Sequence, residues 1–288
     1  MNMTTQSVLG AVFDGAGAHA DDRSGAVLSV RDLTVTFGGI VALSDVTFHL
    51  DKHDMAAIVG PNGAGKSTML NAINGLVRSS GHIELHGRPV HGTPAASIAK
   101  YGVGRSFQDP QLVDEYTVLE NVMCGAHIRL SYGLLDQLFR PRRVERAERQ
   151  LGSRARGLLE FFGLDGVAHE EAGSLSYGAR KLVDIGRAML PGPHLLLLDE
   201  PSSGLDAHER KSLESTLIAL RDERLVTALV VEHHMDLVRS VATRVVGMQA
   251  GEVIAIGTPS EVLDSETFRE AVVGGSRSAP SANGTAGN

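Results

Sequence analysis

The chain has 288 residues, 42% hydrophobic and 21% charged, with a formal net charge of −7; this fits a globular protein of one large or two modest domains and excludes a general nucleic-acid binder, a local basic patch aside. Its single cysteine, Cys124, excludes a disulfide framework within the chain and points to a reducing compartment. No apolar run approaches the ~18 to 20 residues of a membrane span, and the first residues lack the basic and apolar regions of a signal peptide, so a chain neither exported nor inserted is expected.

Residues 1–26, rich in Gly, Ala and Asp, read as a flexible leader. Strands are expected in AVLSVRDLTVTF, VALSDVTFHL and MAAIV, and the alternation in LTVTF and VTFHL suggests a partly antiparallel sheet. Directly after MAAIV stands GPNGAGKST, which fits G-x-x-x-x-G-K-[ST] with Gly60, Gly65, Lys66 and Ser67 in the fixed places. Its glycines let successive N–H groups turn inward as an anion nest at a helix N-terminus, with Thr68 to Leu76 supplying the helical spacing. Lys66 would reach the β- and γ-phosphates of a nucleotide, and the Ser67 hydroxyl would ligate Mg²⁺.

From Leu119 to Leu190 the spacing is helical with few strand signals, so a helical subdomain, about 109–190, is inserted into an α/β core. Within it, RPRRVERAERQLGSRAR holds seven arginines over Arg140–Arg156, read as a solvated amphipathic helix, with a membrane-proximal basic face as the alternative. SLSYGARK places Ser176 and Gly178 just before a helix, where Ser174 or Ser176 would cap it. Strands return with HLLLLDE, TALVVEHH, RVVGMQAG and EVIAIG, with a helix near Ala207 to Glu223. HLLLLDEP is a buried strand ending in two acids beyond the carboxyl end of a sheet, so Asp199 would hold Mg²⁺ and Glu200 would polarise a water as general base. From about Gly275 the tail, 275–288, is small and polar and reads as disordered, leaving 27–274 as one domain.

These motifs, in this order, resemble those of the ATP-binding subunits of ABC transporters over roughly Leu28 to Gly274. The resemblance implies an α/β P-loop NTPase core with a mixed sheet, an N-terminal antiparallel β subdomain and an inserted helical subdomain. ATP would be held by Gly60, Pro61, Asn62, Gly63, Ala64, Gly65, Lys66, Ser67 and Thr68, with adenine stacked on Phe37. GVGRSFQDPQL carries the Q-loop glutamine at Gln108, which joins Ser67 and Asp199 around Mg²⁺; LLLLDEP is the Walker B strand; VVEHHMD carries the switch histidine at His233, with His234 where Asp is commoner. SLSYG is similar to the signature motif, so Ser176, Tyr177 and Gly178 would contact ATP bound by a second, head-to-tail subunit, and SSGLD resembles the D-loop, with Ser203, Gly204, Leu205 and Asp206 at the dimer interface.

Against the usual L-S-G-G-Q, Tyr177 replaces a glycine and Ala179 replaces the glutamine; Phe37 stands for a commoner tyrosine and keeps the π face. The long helical segment and the C-terminal half look like those of the branched-chain amino acid importers, whose urea and amide relatives share the pattern. The implied partners are two integral membrane permease subunits, a second ATP-binding subunit (paralogue or self) and an extracytoplasmic solute-binding protein, at the cytoplasmic face of the cell membrane and without nucleic acid. The alternatives are the ATPase of a lipid or polysaccharide exporter, a soluble ATP-driven clamp on DNA or ribosomes, and a subunit that binds nucleotide without hydrolysing it. Intact Lys66, Asp199, Glu200 and His233 argue against the last.

Overall fold

Side chains alternate across a strand, so an unbroken apolar run makes a strand buried on both faces. LLLLD does this: Leu196 and Leu198 enter one core while Leu195 and Leu197 enter another on the opposite face. The same split divides Ala228 and Val230 from Leu229 and Val231. The computed structural model, which describes residues 25–126 and 141–275, builds from such runs a central six-stranded sheet.

Strands β1 (Leu28–Phe37) and β2 (Ile40–Leu50) form the expected antiparallel hairpin. Strand β3 (Met55–Val59) leads into helix α1 (Lys66–Ile73). Strands β4 (Ser80–Leu85) and β5 (Arg88–Pro89) complete a four-stranded antiparallel sheet in the order β2-β1-β4-β5. Neither was expected, because SGHIEL is short and half exposed, and Gly81 sits at φ +92°. A short helix α2 (Ala95–Ile98) and strand β6 (Val103–Ser106) follow.

Between β6 and β7 the described residues form helices: α3 (Val118–Cys124), α4 (Pro141–Phe161) and α5 (Tyr177–Met189). Thr117 caps α3 in a capping box with Glu120, which fixes where the helical segment begins. On α4, Leu151, Ala155, Leu158 and Leu159 are buried at helical spacing and Arg149 pairs with Glu145 at 3.0 Å, as the solvated amphipathic reading requires. Arg140 lies outside the described residues.

The chain returns through β7 (Leu195–Asp199), α6 (Ala207–Asp222), β8 (Thr227–Val231), α7 (Met235–Val241), β9 (Arg244–Gln249), β10 (Glu252–Gly257), α8 (Pro259–Leu263) and α9 (Glu266–Gly275). The central sheet runs β10-β9-β3-β8-β7-β6, parallel except for the terminal hairpin strand β10. One core lies between this sheet and the antiparallel one, a second under α3 to α6, and a third under α7 to α9. The leader up to residue 24 and the tail from residue 276 lie outside the described residues, and Gly275 closes α9.

Candidate active site

The parallel strands β3, β7 and β8 end on one edge, so their following loops meet there. The loop after β3 turns on glycines that no other residue replaces freely: Gly60, Gly63 and Gly65 have φ of +156°, +80° and +97°. A Cβ on Gly60 would lie 2.1 Å from the Met248 carbonyl oxygen, and one on Gly65 would lie 2.7 Å from that of Ala42. The β9–β10 turn supports the loop from behind, since the Gly251 N–H donates to the Ala64 carbonyl at 3.1 Å.

Lys66 is 6% exposed, and its Nζ donates to the Gly60 and Pro61 carbonyls of its own loop at 2.9 and 3.1 Å. Burial lowers its pKa, and the nearby charges of Glu200 and Asp199 oppose that shift. The Ser67 hydroxyl donates to Asp199 Oδ1 at 3.4 Å, joining the start of α1 to the end of β7. Asn62 and Gly63 stay exposed at the mouth of the loop, and Thr68 is half-buried on α1.

Glu200 holds φ +45°, a left-handed conformation that costs a non-glycine residue about 1–3 kcal/mol. Strain of that kind survives where neighbours fix the backbone, and here the Glu200 N–H donates to the Val231 carbonyl at 3.0 Å. Its carboxylate lies 3.4 Å from Gln108 Nε2 and 3.6 Å from His233 Nδ1. The expected glutamine, acid and histidine thus converge on one oxygen, Oε2. Buried Glu232 holds this arrangement, accepting from the Ser202 N–H at 2.9 Å and the His233 N–H at 3.0 Å. His234 lies 2.7 Å from the Ser202 hydroxyl through Nδ1, and makes no side-chain cap on α7.

Phe37, 49% exposed, ends β1 at the hairpin whose second strand packs Ala42 and Leu43 against Gly65. The serine and glycine of SLSYG lie apart from this cluster. The Ser176 Oγ caps α5 by accepting from the Ala179 N–H at 3.3 Å and donates to Glu209 Oε1 at 2.8 Å; the Gly178 N–H donates to the same oxygen at 3.0 Å. Those two bonds hold the Glu209 carboxyl below its usual range. Tyr177 packs its ring against Gly204 and donates to Asp109 Oδ1 at 3.1 Å. Asp206 caps α6 in a capping box with Glu209, Leu205 is buried, and the Ser203 N–H donates to the Glu200 carbonyl at 3.0 Å.

Sequence reasoning missed three residues here. Arg105 pairs with Asp199, Lys181 reaches the Gln108 carbonyl, and Glu209 sits on the signature serine. Only Arg105 left a trace, a lone charge in the otherwise small and apolar strand VGRS.

A glycine loop between a parallel strand and a helix, with a buried lysine and an acid-ended neighbouring strand, defines a P-loop nucleotide-binding protein. Comparison with known proteins narrows the class: the profile of the ABC transporter family matches residues 43–203. The chain belongs to that family and is one of its ATP-binding, ATP-hydrolysing cassettes. It is 36% identical over 249 residues to the high-affinity branched-chain amino acid transport ATP-binding protein BraF of Pseudomonas aeruginosa, covering 86% of this chain and 98% of that one. It is 35% identical, with the same coverage, to the corresponding protein LivG of Escherichia coli strain K12. Its fold is similar to the crystal structure of the ADP conformation of an ATP-binding cassette of an ABC transporter, with a TM-score of 0.74 and 30% identity, covering 87% of this chain and 99% of that one.

Proposed function

We propose that the chain powers the import of branched-chain amino acids, or of related small solutes, through partner permeases at the cytoplasmic face of the membrane. The observation that carries the ATPase half is the convergence of Gln108 and His233 on the Glu200 carboxylate beside a buried Lys66. The substrate half is supported by the 35–36% identity to BraF and LivG over almost their full length.

In this reading Lys66 exchanges its loop carbonyls for the β- and γ-phosphates, a stronger charge-assisted bond. Glu200 takes the proton of the attacking water, and Gln108 and His233 hold that carboxylate and the water in line. Ser67 Oγ and Asp199 Oδ1, brought together at 3.4 Å, are hard oxygen ligands that would hold a divalent ion such as Mg²⁺. Held there, with Gln108 beside it, Mg²⁺ would neutralise charge on the transferred phosphoryl group. Phe37 offers adenine an exposed ring face.

Ser176, Tyr177 and Gly178, at the N-terminus of α5, would meet the γ-phosphate held by a second cassette, with Ser203 to Asp206 at the same seam. Only the closed pair makes both sets of contacts, so ATP shifts the population toward closure and hydrolysis releases it. Glu209 already occupies the Ser176 and Gly178 donors and must yield them. Glu209→Ala is expected to strengthen ATP-dependent pairing of cassettes about tenfold, the worth of one charge-assisted bond. Sedimentation against ATP concentration checks this, and unchanged pairing would show that Glu209 does not compete.

Two permeases, a second ATP-binding subunit and an extracytoplasmic solute-binding protein complete the proposed assembly. The segment around Gln108 exposes Tyr101, Phe107, Val113 and Tyr116, an apolar surface suited to a permease contact. Among the described residues no helix is long and apolar enough to cross a membrane, so such partners would supply the pathway. Affinity purification of the tagged chain from gently solubilised membranes, with mass spectrometry of what accompanies it, tests the assembly. Multi-span permeases and a second short ATPase are expected; a lipid exporter's subunits, or ribosomes without any permease, would overturn it.

A further inference from the structure

One buried cation beside the site, Arg105, belongs to no step described above. Arg105 projects from β6, whose backbone pairs it with Leu197 on β7, and its Nη2 lies 3.1 Å from Asp199 Oδ2. The two side chains are 7% and 11% exposed. The guanidinium Nε and Nη1 are buried without a hydrogen-bond partner among the described residues, and Cζ lies 5.0 Å from the Phe107 ring centroid. A planar cation laid on an aromatic face keeps part of its solvation and leaves one edge for a carboxylate. The Phe107 backbone is held from behind, because its N–H donates to the buried carboxylate of Asp184 at 3.1 Å.

The Asp199 carboxylate is therefore divided. Oδ2 is taken by Arg105, and Oδ1 faces Ser67. Arg105 and Lys66 by themselves offset the two charges of Asp199 and Glu200, and Lys181, whose Nζ lies 3.5 Å from the Glu200 carbonyl, adds a further cation. A bare divalent ion entering there meets these resident positive charges and leaves the site with an excess of about +2 or more. A nucleoside triphosphate brings roughly four negative charges, so the metal and nucleotide together meet no such excess. Near a protein surface, at an effective dielectric of about 20, one opposing unit charge at ~4 Å is enough to weaken an ion's binding tenfold or more.

We propose that Arg105 is an internal counter-ion that occupies the metal-binding carboxylate Asp199 in the nucleotide-free site, excluding bare divalent cations so that metal enters only with nucleotide. This rests on the reading of Asp199 as the metal carboxylate. Arg105 acts through Asp199, with which it pairs at 3.1 Å, so it is a positioning residue rather than a catalytic one.

The test is Mn²⁺ binding to the full chain, read by electron paramagnetic resonance of the free ion, with and without ADP. Without nucleotide, Arg105→Gln is expected to bind Mn²⁺ at least tenfold more tightly than the parent chain. Adding Asp199→Asn to that variant should remove the gain. Arg105→Lys, which keeps the charge, should exclude Mn²⁺ as the parent does. Circular dichroism establishes that each variant is folded; should Arg105→Gln not fold, the lysine variant and the parent carry the test. Mn²⁺ binding by Arg105→Gln no tighter than the parent's overturns the inference, as does tight binding by the parent or the lysine variant without nucleotide, or a gain that survives Asp199→Asn. If Asp199→Asn alone leaves Mn²⁺ binding in the presence of ADP unchanged, the metal reading of Asp199 itself fails, and the inference with it.

Discussion

Glu200→Gln is expected to lower ATP turnover of the assembled cassette pair by about 10²- to 10⁴-fold, the usual worth of a general base, while ATP still binds. The substitution is nearly isosteric, so the left-handed backbone at φ +45° and the bond from its N–H to Val231 persist. What disappears is the carboxylate charge that faces Lys66 and lies beside Gln108 and His233. Because hydrolysis would open the pair, the variant should accumulate as an ATP-bound closed pair, seen as a change in sedimentation when ATP is added. The parent cassette alone should be largely monomeric and weakly active. Turnover at the parent rate would show that another group accepts the proton.

Lys66→Ala is expected to weaken ATP binding by about tenfold to a hundredfold, since a hydrogen bond to a charged partner is worth about 1.5–3 kcal/mol. The ammonium is 6% exposed and burial already opposes its charge, so the loop holds a costly cation in waiting for an anion. Removing it also frees the Gly60 and Pro61 carbonyls, and the half-buried Pro61 lies next to the exposed mouth of the loop, where water can enter. The fold should therefore survive while the site fails. Equilibrium binding of a fluorescent ATP analogue, alongside a thermal melt, separates the two. Undiminished binding by a folded variant would remove Lys66 from the phosphate site.

Much of this site is legible in sequence because its parts are local. GPNGAGKST carries its own turn, its cation and its hydroxyl within nine residues, and LLLLDEP carries both strand and acids. The hairpin of LTVTF and VTFHL, the helical block before β7 and the solvated face of α4 follow from periodicity alone. What escaped joins distant positions: Arg105 to Asp199 across 94 residues, Lys181 to Gln108 across 73, and Glu209 to Ser176 across 33. Each is a charged side chain whose partner is chosen by packing, and no local pattern distinguishes it from a solvated one. The same limit hid β4 and β5, which are held by pairing with β1 and with each other rather than by their own propensity.

The central claim, that hydrolysis at Glu200 drives solute uptake, is tested most directly by uptake of radiolabelled leucine, isoleucine and valine into cells carrying either the parent chain or Glu200→Gln at equal membrane abundance. The account predicts that uptake falls to background in the variant while its permeases still co-purify. Uptake that continues at the parent rate in the variant, with ATP turnover abolished, would contradict it.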